Sequence, residues 1–461
     1  MQENDFRRLV ALDHSHLWHP FTQMRAWMAD DDPLLIERGE GNYLIDVRGR
    51  RYLDGVASLW CNVHGHRKAE LDRALAAQAT RIAHSTMLGL SHPGAVELAR
   101  ELIACAPPHL TRVFYSDSGA EAVEVALRIA AQYWQLAGQP RRTRFLTLTE
   151  SYHGDTLGSV SLGFSDHFHR HLQPLLFPVL KADPPHVYRF YRGLEVQAAE
   201  EAALARAAEL LAQNTGEIAA LIVEPLVQGA AGMWTHSAGY LRRLVELARA
   251  EGALVVFDEV ATGFGRTGTM FACEQAGVSP DLMCLGKGIT GGYMPLAATL
   301  ANERVFEAFL GEPEEFRAFY YGHTYTGNPL ATAVALANLE IFRSERVLDR
   351  IQPLIDHLRE ALAKRFAGHS RVADIRQAGL MAGVELMENP ERRRPWPVAA
   401  QVGARICRAA RKYGVILRPL GDVLVFVPPL SITEQEIDLM LDAALHGVGE
   451  IVGASQRIGA Q

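Results

Sequence analysis

Three stretches of the sequence place chemically capable residues directly after short apolar runs. Asp258 follows the run Leu254 to Phe257, and Lys287 follows the run Leu282 to Leu285 after one glycine. A third stretch, residues 117 to 121, follows another apolar run. Ligands of open α/β sheets bind at the carboxyl ends of the strands, so we expect these three stretches to meet at one edge of a sheet.

Together these stretches meet the needs of pyridoxal phosphate. The third stretch, D-S-G-A-E, begins a helix-like run, so the first backbone N–H groups at Gly119 and Ala120 can bind a phosphate. The Lys287 amine would form a Schiff base with the aldehyde, and the Asp258 carboxylate would keep the pyridine nitrogen protonated. Tyr152 offers an aromatic face for the ring. Taken singly, each feature is ordinary: a helix cap, a solvated lysine and a loop carboxylate.

Glycine patterns near these residues allow a competing hypothesis, an NAD-linked oxidoreductase. The pattern G-x-G-x-x-G occurs twice, at Gly263, Gly265 and Gly268 and at Gly286, Gly288 and Gly291. A dinucleotide-binding motif follows its strand directly and opens a helix. Residues 259 to 262 separate the first copy from its strand, and G-Y-M-P at 292 to 295 cannot be helix interior. We therefore disfavour NAD and expect Gly286 and Gly288 to clear space around Lys287.

The composition excludes several classes of protein. The 461 residues are 48% hydrophobic and 21% charged, as in ordinary globular proteins. A net charge of −7 disfavours a nucleic-acid partner. The five cysteines are scattered, with no C-x-x-C pair, which indicates a reduced, cytoplasmic setting. The sequence shows neither an apolar signal segment nor the roughly 18 apolar residues of a membrane span, so we expect no membrane partner.

The order of apolar and helix-like runs predicts an α/β fold. Continuous apolar runs alternate with Ala/Leu/Glu/Arg-rich segments up to about residue 330, which predicts a mostly parallel sheet covered by helices on both faces. Long helices and short strands follow, which predicts a smaller α+β domain. We expect an N-terminal segment at 1–60 that contributes to the small domain and the substrate site, a large cofactor domain at 61–330 and the C-terminal small domain at 331–461. The predicted strands are 113–115, 145–148, 218–223, 254–257 and 282–285, and the predicted C-terminal elements include 347–366 and 381–386.

The sequence resembles the class III aminotransferases, pyridoxal-phosphate enzymes of fold type I, over nearly its whole length. The resemblance is carried by V-V-F-D-E-V-A-T-G-F-G-R-T-G (255–268), C-L-G-K-G-I-T-G-G (284–292) and G-H-T-Y-T-G-N-P (322–329). Within the class it is most similar to the 7,8-diaminopelargonic acid aminotransferases of biotin synthesis. Four stretches support that similarity: L-W-H-P-F-T-Q-M (17–24), D-S-G-A-E-A-V-E-V-A (117–126), S-Y-H-G-D-T (151–156) and L-R-P-L-G-D (417–422).

The resemblance implies a reaction. An amino group would pass to 8-amino-7-oxononanoate to give 7,8-diaminononanoate, in ping-pong order through the pyridoxal and pyridoxamine forms. Lys287 would hold the cofactor and then shuttle the proton, Asp258 would pair with the pyridine nitrogen, and Tyr152 would stack on the ring and touch substrate. Gly119 and Ala120 would bind phosphate through their amides.

The resemblance also implies a homodimer with the active site at the subunit interface. His323 and Thr324 would contact cofactor, Thr324 by reaching the phosphate in the partner subunit, and Gly322 would contact substrate. Arg418 would bind the substrate carboxylate, which a guanidinium fork suits well.

Two positions depart from the best-known members and bear on the amino donor. Phe21 stands where those members have Tyr, and Leu59-Trp60 stands for Trp-Trp. Leu59 removes a stacking surface for the large cationic donor S-adenosylmethionine. The departure favours the hypothesis that lysine is the donor, with S-adenosylmethionine as the alternative; Trp60 is expected to line the substrate entrance.

Two alternative functions stay open, and one histidine cluster needs an interpretation. A broader ω-amino acid:pyruvate transaminase is the nearest alternative, and a catalytically silent binding protein is a more distant one. The histidines at 167, 169 and 171 have metal-like spacing but no cysteine or carboxylate at ligand spacing, so we interpret them as a solvated loop and expect no metal site.

Overall fold

A computed structural model of the chain describes residues 1–453. Its α helices, in chain order, are α1 Glu3–His16, α2 Met24–Met28, α3 Ala57–Trp60, α4 Ala69–Ala79, α5 Pro93–Cys105, α6 Gly119–Leu136, α7 Leu157–Leu162, α8 Asp166–His169, α9 Val196–Gln213, α10 Ala238–Ala250, α11 Cys273–Ala276, α12 Glu303–Glu307, α13 Pro329–Ser344, α14 Val347–Phe366, α15 Val402–Ala410 and α16 Glu434–Val452.

The strands of the same residues are β1 Ile36–Glu40, β2 Tyr43–Asp46, β3 Arg51–Asp54, β4 Leu110–Ser116, β5 Arg144–Leu148, β6 Leu180–Ala182, β7 Ile218–Val223, β8 Val227–Gln228, β9 Trp234–Thr235, β10 Leu254–Asp258, β11 Leu282–Leu285, β12 Ala297–Asn302, β13 Val372–Ala378, β14 Met381–Leu386, β15 Val415–Ile416, β16 Arg418–Leu420 and β17 Val423–Phe426.

A seven-stranded sheet forms the centre of the molecule, in the order β4-β12-β11-β10-β7-β5-β6. Strands β11, β10, β7, β5 and β6 pair in parallel, and β12 runs antiparallel to both of its neighbours. Every residue of β7, β10 and β11 is buried, which explains why these strands read as continuous apolar runs. The predicted α/β fold with a largely parallel sheet is confirmed.

Besides the two-stranded sheet β8-β9, two smaller sheets complete the described chain. One has the order β13-β14-β17-β16 and belongs to the C-terminal part. The other has the order β1-β2-β3-β15, so the N-terminal strands are joined by a strand from the C-terminal part. The boundaries at residues 60 and 330, and the contribution of residues 1–60 to the small domain, stay predictions.

The predicted element boundaries agree closely with the structure. The predictions 218–223, 282–285, 347–366 and 381–386 coincide with β7, β11, α14 and β14. Neither glycine pattern opens an α helix: the first lies in turns, and the second runs through a short 3-10 turn, Lys287–Thr290. Among residues 1–453, no helix combines the length and apolar character needed to cross a membrane.

The sheet order brings functional candidates from distant parts of the sequence to one edge. Strands β4, β5, β7, β10 and β11 all end there, because they point the same way. The residues that follow them therefore face one another across the carboxyl edge of the sheet.

Candidate active site

Two adjoining cavities lie at this edge and share part of their walls. The first, of about 480 Å³, is lined by the start of α6 and by residues after β5, β7, β10 and β11. The second, of about 220 Å³, is mostly apolar and opens toward the C-terminal sheet. Four residues line both: Trp60, Tyr152, Asp155 and Lys287. Lys287 therefore borders both cavities.

The start of α6 offers unused hydrogen-bond donors to the first cavity. The Ser118 hydroxyl accepts the N–H of Glu121, whose carboxylate accepts the N–H groups of Asp117 and Ser118. Within residues 1–453 the N–H groups of Gly119 and Ala120 have no acceptor, and both residues line the cavity. Two free amides at a helix N-terminus are a ready anion site.

Gly119 is required by a close approach of the neighbouring loop. A Cβ on Gly119 would lie 2.5 Å from Val260 Cγ1, well inside van der Waals contact. Gly286 packs against the same point, since its Cβ would lie 3.3 Å from Gly119 Cα and 3.2 Å from Val260 Cγ1. A Cβ on Gly288 would meet Phe264 at 2.9 Å. The glycines beside Lys287 thus serve close packing, and the expectation that they clear space around the amine stays a prediction.

Asp258 ends β10 and is held in a fixed orientation. Its Oδ2 accepts a hydrogen bond from His153 Nδ1 at 2.7 Å, and its Oδ1 accepts the N–H of Val260 at 3.0 Å. His153 is itself buried, with Nε2 at 3.3 Å from the Thr147 hydroxyl. The carboxylate therefore presents a defined edge to the cavity.

Lys287 places its amine between the two cavities. Its backbone has φ 42°, in the left-handed region, and its Nζ lies 4.9 Å from the centre of the Trp60 ring. Burial lowers the pKa of Lys287, partly offset by the charges of Asp258 and Glu224. A lowered pKa favours the free amine, which is the form that can act as a nucleophile or a base.

Residues Ala57 to Trp60 form a single left-handed helical turn, which we call the left-handed turn. Their φ angles are 46°, 48°, 73° and 69°, and Cys61 N–H donates to the Ala57 carbonyl at 3.0 Å. For L-residues this conformation costs roughly 1–2 kcal/mol per residue, so the turn costs about 4–8 kcal/mol. This conformation places Leu59 and Trp60 at the wall of the second cavity.

Tyr152 and Glu224 form a second polar group in the first cavity. The Tyr152 hydroxyl donates to Asp155 Oδ2 at 2.7 Å, and its backbone N–H donates to Glu224 Oε1 at 3.1 Å. Glu224 Oε2 also accepts the N–H of Gly229 at 2.9 Å. Burial raises the pKa of Glu224 to about 7, well above the usual range of a carboxyl group.

The second cavity joins apolar walls to the guanidinium of Arg418. Phe21 and Leu59 are 70% and 49% exposed and line it together with Leu420. Arg418, at the start of β16, also lines it and forms no ion pair with any carboxylate of residues 1–453. An apolar channel with an unpaired guanidinium suits an aliphatic chain that carries a carboxylate.

The predicted turn at 322–324 lies apart from both cavities. Gly322 and Thr324 are exposed, and His323 Nε2 is 4.0 Å from Glu121 Oε2, beside the start of α6. Within this single chain these three residues line neither cavity. The other predicted site residues line one or both of the cavities.

Several residues of the site were missed by the sequence reasoning. Glu224 directly follows β7, so the same strand-end rule that singled out Asp258 could have found it. His153 is the neighbour of Tyr152 in S-Y-H-G-D-T, yet only the fold shows that it contacts Asp258. The histidine stretch is not a loop, because Asp166–His169 forms α8. His167 and His171 are exposed as expected, while Phe168 and His169 line the second cavity.

The first cavity fits pyridoxal phosphate on its own geometry. The free amides at Gly119 and Ala120 match a phosphate, and the oriented Asp258 carboxylate matches a protonated ring nitrogen. Lys287 reaches the space between them, and Tyr152 forms one wall.

Known proteins resemble the chain over most of its length. Residues 26–447 match the family model described as aminotransferase class-III. A protein of Nitratidesulfovibrio vulgaris named adenosylmethionine-8-amino-7-oxononanoate aminotransferase is 52% identical over 94% of this chain and 80% of its own. The crystal structure of the protein of that name from Methanocaldococcus jannaschii is 42% identical with a TM-score of 0.91, covering 97% of this chain and 100% of the other. A PLP-bound amine transaminase from an uncultivated Pseudomonas species is 37% identical with a TM-score of 0.89, covering 95% of this chain and 99% of the other.

Proposed function

The chain belongs to the class III aminotransferases, PLP-dependent enzymes of fold type I, and on that premise we propose that it aminates 8-amino-7-oxononanoate to 7,8-diaminononanoate in biotin synthesis. One observation carries the proposal: the cofactor cavity meets, at Lys287, an apolar cavity whose wall holds the unpaired Arg418. Relatives named for this reaction, at 52% and 42% identity, support it.

Five residues would hold the cofactor. The amides of Gly119 and Ala120 would bind its phosphate, Lys287 its aldehyde carbon, Asp258 its ring nitrogen, and Tyr152 would stack on its ring. When bound, PLP supplies a positively charged ring that withdraws electrons from the carbon losing its proton. His153 would keep the Asp258 carboxylate turned toward the ring nitrogen through the 2.7 Å hydrogen bond.

Lys287 would carry the proton of the reaction. Its Nζ stands where the two cavities join, and burial lowers its pKa, so the amine can take a proton from a substrate carbon and return it. Trp60, 4.9 Å from Nζ, would stabilise the ammonium form that results.

Arg418 would position the amino acceptor. Its guanidinium fork would bind the carboxylate of 8-amino-7-oxononanoate, and Phe21 and Leu59 would cover the aliphatic chain. The keto carbon would then reach Lys287 at the junction of the cavities.

We propose S-adenosylmethionine as the amino donor, because the named relatives carry it in their names. Leu59 offers that donor less stacking surface than the Trp of the best-known members, which keeps lysine as the alternative. Phe21 and Phe168, 70% and 64% exposed at the same cavity, supply aromatic surface that offsets the loss.

We further propose a homodimer in which the turn at 322–324 completes the site of the partner subunit. The exposure of Gly322 and Thr324, and of large apolar side chains such as Leu88 (81%) and Tyr320 (74%), supports a covered face. Light scattering of the purified protein tests this: a dimer mass is expected, and a monomer mass with full activity contradicts it. We also propose that the chain divides into domains at residues 60 and 330 and that the protein is cytoplasmic.

The function is tested by product analysis. The holoenzyme is incubated with 8-amino-7-oxononanoate and, separately, S-adenosylmethionine or lysine, and 7,8-diaminononanoate is quantified. Formation of product with S-adenosylmethionine is expected. Product with lysine and none with S-adenosylmethionine would show that lysine is the donor. No product with either donor, combined with rapid turnover of an ω-amino acid and pyruvate, would favour the broader ω-transaminase.

A further inference from the structure

The left-handed turn is a costly local conformation that something must hold. Ser58 and Leu59 have φ and ψ of 48° and 50° and of 73° and 48°, and neither residue is glycine. The turn delivers Leu59 and Trp60 to the wall where the two cavities join. Strained backbone of this kind persists only where its surroundings over-determine it.

Asp54, at the end of β3, is the group that holds the turn. Its side chain is fully buried. Oδ1 accepts the backbone N–H of Ser58 at 3.0 Å, and Oδ2 accepts the Ser58 hydroxyl at 2.7 Å. Both bonds fix the second residue of the turn, so one carboxylate sets the direction in which the turn leaves β3.

A second layer holds the carboxylate itself. His66 Nε2 lies 3.0 Å from Asp54 Oδ2, and His66 Nδ1 lies 3.1 Å from the Asn62 amide nitrogen. Because the amide nitrogen can only donate, His66 accepts at Nδ1 and donates to Asp54 from Nε2. Burial acts to raise the pKa of Asp54, but the hydrogen bonds from His66 and Ser58 outweigh it and lower the pKa, so Asp54 is ionised.

The left-handed turn also determines which side chains surround the Lys287 amine. Trp60 is buried against the turn after β8, since a Cβ on Gly229 would lie 3.0 Å from Trp60 Cζ3. Its ring centre lies 4.9 Å from Lys287 Nζ. A shift of the turn would therefore move Trp60 relative to the reacting amine.

We propose that Asp54 is a positioning residue for the transamination: through Ser58 it holds the left-handed turn that places Trp60 over the Lys287 amine and Leu59 in the substrate cavity. Asp54 touches neither cavity itself and acts only through the turn. The kinetic part of this inference rests on the proposed function, whereas the position of Trp60 can be read without substrate.

The test compares the holoenzymes of Asp54→Asn and of a matched control, Asp46→Asn. Asp46 is equally buried in the same sheet and accepts the N–H groups of Arg48 and Arg50 at 3.0 and 2.8 Å, but it does not contact the turn. Asp54→Asn leaves an acceptor for the Ser58 N–H and replaces the acceptor that Ser58 Oγ and His66 share by a donor. Both variants lose buried charge-assisted hydrogen bonds, so their stabilities should fall together.

Two readouts separate positioning from stability. The first is the pH at which the visible absorbance of the bound cofactor titrates, which should fall in Asp54→Asn because the Trp60 face no longer stabilises a positive charge at Lys287. The second is kcat/KM for donor and acceptor, which should fall roughly tenfold to a hundredfold, as for a displacement of about 1 Å at a reacting group. Asp46→Asn should leave both unchanged.

A rescue variant completes the test. Ser58→Gly added to Asp54→Asn should recover part of kcat/KM, because glycine adopts the left-handed region without the hydrogen bonds to Asp54. If Asp54→Asn does not fold, Ser58→Ala removes the hydroxyl bond alone and should shift the titration in the same direction. Wild-type titration and kinetics in Asp54→Asn, or equal losses in both aspartate variants, would overturn the proposal. If the wild-type enzyme does not act on 8-amino-7-oxononanoate, the titration alone still decides the role of Asp54.

Discussion

Gly119→Ala tests the phosphate cradle most sharply, because two effects of opposite sign compete at that position. Gly119 is the first residue of α6, where alanine would favour the helix by up to about 1 kcal/mol. The new Cβ, however, would lie 2.5 Å from Val260 Cγ1 and 3.0 Å from Cγ2, against about 3.5–4.0 Å for good contacts. The helix start or the loop must move by about 1 Å, at a cost of roughly 1–3 kcal/mol. Overpacking therefore wins, and the free energy of unfolding should fall by up to about 2 kcal/mol.

The same displacement carries the free amides of Gly119 and Ala120 away from the phosphate. A hydrogen bond to a charged group contributes about 1.5–3 kcal/mol, so partial loss of two should weaken cofactor binding by roughly tenfold to a hundredfold. Titration of cofactor-free protein with PLP, followed by visible absorbance, measures the change. The control is Gly119→Ala/Val260→Ala, which removes both γ carbons and leaves the new Cβ 3.3 Å from Val260 Cβ. Recovery of affinity in the double variant is expected; unchanged affinity in Gly119→Ala, or no recovery in the pair, would refute the reasoning.

Three other substitutions give distinct expectations. The pKa of Glu224 is raised from 4.5 to about 7. Its contribution to the free energy of unfolding, about 3 kcal/mol, is therefore complete below about pH 4.5 and is lost as the pH rises through 7. Denaturant unfolding of cofactor-free Glu224→Gln should lack that loss, and a pH slope equal to that of wild type would contradict it. Arg418→Met should raise KM for 8-amino-7-oxononanoate roughly tenfold or more with little change in kcat, since it removes a binding contact; a fall in kcat alone would argue against that role. Phe168→Ala should raise KM for S-adenosylmethionine more than for lysine, and an equal change for both donors would exclude stacking at this side chain.

Much of the site follows from local sequence because its main residues end strands. Continuous apolar runs identify buried strands, and parallel strands deliver Asp258, Lys287 and the start of α6 to the same edge. The anion site at Gly119 and Ala120 follows from helix geometry alone. These features depend only on neighbouring residues and on one general rule for sheets.

The remaining features depend on contacts between distant residues. The hydrogen bond of His153 to Asp258 joins positions 105 apart, and no local pattern signals it. The left-handed turn contains no glycine, so nothing in A-S-L-W predicts its backbone; it exists because Asp54 and the surrounding packing outweigh its intrinsic cost. Phe168 lies in a polar, histidine-rich stretch of the sequence, and only the fold shows that its side chain lines the second cavity.

A single-turnover experiment tests most directly the central claim that one Lys287-centred site serves both halves of the reaction. Holoenzyme is mixed with S-adenosylmethionine in the absence of acceptor, and the keto acid of the donor and the visible absorbance of the cofactor are followed. We expect about one equivalent of keto acid per site with loss of the absorbance, and its return when 8-amino-7-oxononanoate is added; Lys287→Ala should show neither change. Release of keto acid only when both substrates are present, or turnover retained in Lys287→Ala, would contradict the account.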